Sequence, residues 1–243
     1  MGQSMKSLRG LLISSALALS LVAPARLSLF TWTQNSLTLA SHFSFIQPMH
    51  AITQADLDSD GWVEEVILQD GVAHIRRGVV TLWSSPPEWQ VKQASITDLN
   101  LDGQLEVALL LWRDFAPWPI DAFLVHPGRI QGFHDRHGQS CHLILIGWRR
   151  HAFGEIWAGS ALVDPLLSFT TADLDGDGRD ELIALESHYD EPREIGRAVT
   201  VWEWNGFGFS LLSRGPEGSI RALLAVRTPN KTNLLLVQGI PWR

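Results

Sequence analysis

The stretch ADLDGDGRDELIALE, residues 172–186, sets carboxylates at alternating positions, follows them with glycine and more acid, and then turns abruptly apolar. Like charges this close repel, so a cation belongs among Asp173, Asp175, Asp177 and Glu181. The pattern recurs. DLDSDGWVEEVIL begins at Asp56, DLNLDGQLEVALL at Asp98 and DLDGDGRDELIAL at Asp173; the three align without gaps, with starts 42 and 75 residues apart. Each carries oxygen side chains at positions 1, 3 and 5, glycine at position 6, glutamate at position 9, and an apolar run after it.

A hard divalent cation explains that spacing. Calcium takes about six to eight oxygen ligands at roughly 2.3–2.6 Å, and a tight loop can aim alternate side chains at one point. The expected ligands are Asp56, Asp58, Asp60 and Glu64 in the first loop; Asp98, Asn100, Asp102 and Glu106 in the second; Asp173, Asp175, Asp177 and Glu181 in the third. Trp62, Gln104 and Arg179 would each add a main-chain oxygen, which fits their unrelated side chains. An EF-hand needs an acid at position 12 and flanking helices. Here position 12 holds Ile67, Leu109 and Ala184, and the flanks (ITQADL and EEVILQ, for example) are short apolar runs suited to strands. The expected unit is strand, calcium loop, strand, with up to three structural Ca²⁺ ions.

These loops resemble the FG-GAP/VCBS repeats of integrin-alpha-like β-propellers, whose pattern is Asp-x-Asp/Asn-x-Asp-Gly-x-x-Asp/Glu before a strand. The resemblance is explicit in residues 48–69, 92–112 and 167–186, and the family's Phe-Gly…Gly-Ala-Pro signature is absent. It implies an all-β propeller in which each loop joins the first two strands of a blade. It also implies a secreted or surface protein that binds a partner.

The remaining sequence lays onto four-stranded blades. EEVILQ, VAHIRR and VVTLWSS continue the first, with turns at Asp70-Gly71 and Arg77-Gly78; AVTVWEWNG and FGFSLLSR complete the third. The middle blade is interrupted by an insertion at about 113–140, rich in Pro, Gly, His and aromatics. SIRALLAV and NLLLVQG near the C-terminus lack partners, and LSLFTWTQ and SLTLASH near the N-terminus supply them. The expectation is a small four-bladed β-propeller closed by N-terminal strands, the alternative being five blades with the insertion building part of one. Trp83, Trp112, Trp148, Trp157 and Trp202 are expected between blades.

Residues 1–25 read as a signal peptide: Lys6 and Arg9 precede an apolar stretch at 11–22, and Ala23-Pro24-Ala25 offers a small-x-small cleavage site. A single propeller domain over 26–243 is expected to follow, secreted or in the cell envelope, with no membrane span once the signal is removed. Cys141 is the only cysteine, so no internal disulfide can form. Acidic residues outnumber basic ones 26 to 19, giving a net charge of −7, and no basic stripe tracks phosphates; nucleic acid is not an expected partner. No nucleophile elbow, zincin, Walker or dinucleotide motif is present, so no catalytic residue is assigned. Function is expected at a rim or loop that binds protein or glycan, with Phe115, Trp118, Arg129, Phe133 and Arg136 of the insertion as candidate contacts. A polysaccharide-active enzyme or its accessory domain, and a subunit of an envelope assembly, are the alternatives.

Overall fold

The computed structural model describes residues 26–33, 36–39, 47–48, 53–116, 132–191, 193, 195–227 and 233–239. The regular structure in them is β apart from a 3-10 position at Gly132, with no α-helix among the described residues. Three antiparallel sheets of four strands follow one another along the chain. Sheet I holds β4 (Gln54–Ala55), β5 (Glu64–Gln69), β6 (Val72–Arg77) and β7 (Val80–Ser84). Sheet II holds β8 (Gln90–Thr97), β9 (Glu106–Asp114), β10 (Gln139–Arg149) and β11 (Ala152–Ala158). Sheet III holds β12 (Leu166–Ala172), β13 (Glu181–Glu186), β14 (Ala198–Trp204) and β15 (Phe209–Arg214). Within each sheet, strands neighbouring in sequence are neighbours in space.

Sheet IV is assembled from both ends of the chain. β1 (Arg26–Thr33), β2 (Ser36–Leu39) and β3 (Gln47–Pro48) join β16 (Ile220–Arg227) and β17 (Asn233–Gly239) in the order β2-β1-β17-β16-β3. β1 runs antiparallel to β17, with Leu29 opposite Leu236 and Phe30 opposite Leu235. Pairing the first long strand with the last removes two free edges at once.

The second strands of sheets II and III explain how the sheets stack. A strand with one wetter face alternates in burial, as β6 does between buried and half-buried residues. β9 and β13 do not alternate: β9 is buried from Glu106 through Trp112, and β13 over its whole length. Both faces of these strands are therefore covered. Val107, Leu109 and Leu111 pack toward Leu57, Val66, Ala73 and Ile75 of sheet I. Ala108, Leu110 and Trp112 on the other face pack with Phe169, Leu182 and Ala184 of sheet III. Ile183 and Leu185 of β13 then share a core with Ile220 and Leu223 of sheet IV. Three cores thus bind sheets I, II, III and IV in succession.

Polar contacts also join neighbouring sheets. The Gln93 side-chain amide of β8 donates from Nε2 to the Phe169 carbonyl of β12 (2.6 Å) and accepts from the Phe169 N–H at Oε1 (3.0 Å). Gly196, in the connection between β13 and β14, exchanges two backbone hydrogen bonds with Ile220 of β16. Trp112 is buried, and Trp83, Trp148, Trp157 and Trp202 are half-buried against these cores. Cys141 is fully buried, and burial pushes its thiol up to about 12.

Candidate metal centre

Each acidic loop joins the first strand of its sheet to the second: β4 to β5, β8 to β9, and β12 to β13. The position-9 glutamate is the first residue of the second strand in all three. The loops also share one backbone course. Position 4 is left-handed in each (Ser59 at φ 61°, Leu101 at 59°, Gly176 at 85°), and so is position 6 (Gly61 at 90°, Gly103 at 84°, Gly178 at 89°). Glycine suits position 6 because a Cβ strains that conformation. Ser59 and Leu101 accept the strain at position 4.

Hydrogen bonds hold the acids in place. The position-1 aspartate accepts from the glycine N–H at position 6: Gly61 to Asp56 (2.9 Å), Gly103 to Asp98 (3.0 Å) and Gly178 to Asp173 (3.0 Å). The N–H groups of Trp62, Gln104 and Arg179 donate to Asp60, Asp102 and Asp177 at 2.8–2.9 Å. A feature the acid pattern alone did not flag is the leucine at position 2. Leu57, Leu99 and Leu174 are buried, and each N–H donates to the position-9 glutamate at 2.7–2.9 Å. That leucine anchors the loop in the core, and its amide aims the glutamate back under it.

Ligand atoms converge in all three loops. Asp56, Asp58 and Glu64 offer carboxylate oxygens lying within 4.8 Å of one another, as do Asp98, Asp102 and Glu106, and Asp173, Asp175 and Glu181. Among the described residues these are the only such groupings of His, Cys, Asp and Glu. Asn100 completes its loop differently, donating from Nδ2 to Asp102 (3.1 Å) while its Oδ1 accepts from the Asp102 N–H (3.0 Å).

The glutamates record how badly a cation is wanted. Glu106 is 1% exposed, and its Oε2 is buried without a hydrogen-bond partner. Burial, reinforced by the charges of Asp98 and Asp102, pushes its carboxyl up to about 8. Glu181 is pushed up to about 7, again by burial first and then by Asp175, Asp177 and Asp173. A buried carboxylate oxygen with no donor is costly unless a cation reaches it. The donor set, all oxygen and mostly carboxylate, fits a hard cation such as Ca²⁺ rather than a thiophilic metal.

In the first loop a side chain supplies that charge. The Arg77 guanidinium, at the end of β6, donates from Nε to Glu64 Oε1 (2.7 Å), from one terminal nitrogen to Asp60 (2.7 Å) and from the other to Asp58 (2.8 Å). These carboxylates, with the Glu64 bond foremost, hold the Arg77 guanidinium above its already high ordinary value.

The insertion lies at the other end of sheet II. β9 leaves its acidic loop at Glu106 and reaches the insertion at Asp114, and β10 returns from Gln139. Phe115 is half-buried, its ring 5.1 Å from that of His134. Phe133 is half-buried and Arg136 exposed; Trp118 and Arg129 lie outside the described residues. Arg136 lines an open polar cavity of about 670 Å³ with Asp135, His137, Tyr189 and Arg193, whose guanidinium stacks 3.7 Å above the Trp112 ring. His142 lies apart from that cavity. It is buried in β10 between Ser140 Oγ (2.8 Å) and the Gly159 carbonyl (3.1 Å), and burial lowers it to about 4.

Compared with known proteins, the chain matches no family model and no curated sequence.

Proposed function

We propose that this chain is a four-bladed β-propeller of the FG-GAP/VCBS type, exported from the cytoplasm, in which calcium has a structural role. Sheets I to IV are the blades. The pairing of β1 with β17 supports closure by the N-terminal strands, and the four sheets favour four blades over five. The ions clamp the first strand of a blade to the second. The rim at the insertion end, where Arg136 and Phe115 lie, presents a surface to a protein or glycan partner, and no bond-making chemistry is assigned to it.

The observation that carries the calcium role is Glu106. Its Oε2 is buried without a partner, and its carboxylate groups with those of Asp98 and Asp102 on a loop whose backbone course recurs in the other two. When bound, the ion supplies the positive charge that Glu106 lacks; Leu99 and its N–H keep the carboxylate aimed at it. Titration calorimetry of the full chain with Ca²⁺ tests this reading. Wild type is expected to bind with a dissociation constant of about 10⁻⁴–10⁻³ M, as extracellular modules do. Asp102→Ala and Asp175→Ala are each expected to remove one ion. Heats unchanged by both substitutions would refute the assignment.

A further inference from the structure

The three acidic loops match in pattern and backbone, and the first contains a cation of its own. Arg77 engages positions 3, 5 and 9 of the first loop, the same carboxylates an ion would need. Its nitrogens lie 2.5–2.8 Å from Asp58, Asp60 and Glu64. The Glu64 side chain is fully buried and that of Asp58 nearly so, at 7% exposure, so this is no loose surface pair. Three carboxylates around one planar fork make strong charge-assisted hydrogen bonds.

Strand register shows what brings Arg77 to the first loop, and what stands at the matching place in the other two sheets. In sheet I, Glu65 of β5 faces Arg76 of β6, so one step on Glu64 meets Arg77. In sheet II, Val107 faces Ile146, which brings Gly147 to the place beside Glu106. In sheet III, Leu182 faces Trp202, which brings Glu203 to the place beside Glu181. The same site on the third strand is thus arginine, glycine and glutamate in turn. Neither glycine nor glutamate supplies positive charge.

We propose that the first loop is closed by the chain's own Arg77 in the position of the cation, which makes that loop independent of metal. A tethered cation acts at an effective concentration of about a millimolar or more. The first blade is therefore locked as soon as the strands pair, while the second and third await an ion. That last clause rests on the calcium role proposed above; the assignment of Arg77 does not.

The test counts Ca²⁺ bound per full-length chain at 5 mM by equilibrium dialysis. Arg77→Gln keeps hydrogen-bonding capacity and removes the charge, and it is expected to bind one more ion than wild type. Arg77→Lys retains a cation and is expected to match wild type. The double variant Asp58→Asn, Asp60→Asn is also expected to match wild type, because the first loop contributes no ion. Equal counts in wild type and Arg77→Gln, or loss of an ion in the Asp58/Asp60 variant, overturn the proposal. If wild type binds no calcium, the structural-calcium reading fails by itself; a single ion gained by Arg77→Gln would still uphold the role of Arg77, and none gained would overturn both. Should Arg77→Gln fold only when calcium is present, that rescue supports the proposal. If it folds in neither condition, the Asp58/Asp60 count decides.

Discussion

Glu64, Glu106 and Glu181 stand at one position of one repeated motif and meet different surroundings. Glu64 is paired with Arg77, Glu106 keeps one oxygen without a partner, and Glu181 is raised to about 7 by burial and neighbouring acids. Glu106→Gln preserves the acceptor for Leu99 and Asn100 and fixes the neutral form. In chelator at pH 9, above the value of about 8, the variant is expected to be more stable than wild type by roughly 3–5 kcal/mol, with the difference becoming small near pH 5. In calcium the order reverses, because a ligand is lost. Denaturant melts in the two buffers measure both signs. Ser59 offers a second residue-level test. It is exposed and left-handed, so Ser59→Gly is expected to stabilise by about 0.5–1 kcal/mol, read from the midpoint of urea unfolding. The acids were legible in the sequence because oxygen ligands at alternate positions leave a direct trace. Arg77 was not, because it reaches the loop across a strand pair, 13 residues from Glu64, and only the register reveals it.

At the scale of the strand, β9 and β13 organise the fold. Their runs EVALLLW and ELIALE were readable as buried strands because they are short, apolar and β-branched in part, and a strand buried on both faces cannot alternate. β9 ends at Asp114 and β10 begins at Gln139, each inside the range expected for the insertion, 113–140, of which residues 117–131 lie outside the described residues. The way loops lock neighbouring sheets was not visible. Gly196 sits so close to β13 that an added Cβ would lie 2.4 Å from Leu185 Cδ1 and 2.5 Å from its Cγ. Leu185 is packed in the core shared with sheet IV and has little room to yield. Gly196→Ala is therefore expected to cost about 1–3 kcal/mol, and hydrogen exchange should show faster opening in β13 and β16 than elsewhere. An unchanged melting temperature would contradict this packing.

Over the whole molecule, stability is tied to charge. Glu106 and Glu181 both sit above the ordinary carboxylate value of 4.5, so the metal-free native state holds protons that the unfolded chain has released. Stability of the chelated protein is therefore expected to fall as pH rises from about 5 to 8, and to be greatest near the lower limit. Calcium should flatten that slope and release protons on binding, which calorimetry in buffers of different ionisation enthalpy will report. The joining of both chain ends in sheet IV was suggested by unpartnered apolar runs at each terminus, an inference that strand pairing makes because edges seek partners. The stacking of sheets I to IV through both faces of β9 and β13 left no trace in the sequence, since periodicity assigns burial to a strand without saying what covers it.

Calcium is proposed to hold the first two strands of sheets II and III together. The direct measurement is thermal unfolding of the full chain at pH 7.5 in 5 mM Ca²⁺ and in chelator, with Asp102→Ala and Asp175→Ala alongside. At about ten times the dissociation constant each site adds about 1.4 kcal/mol, so filling the second and third loops is expected to raise Tm by roughly 5–10 °C in wild type, and by about half as much in either variant. A wild-type Tm equal in calcium and chelator would rule out a structural role for the ion.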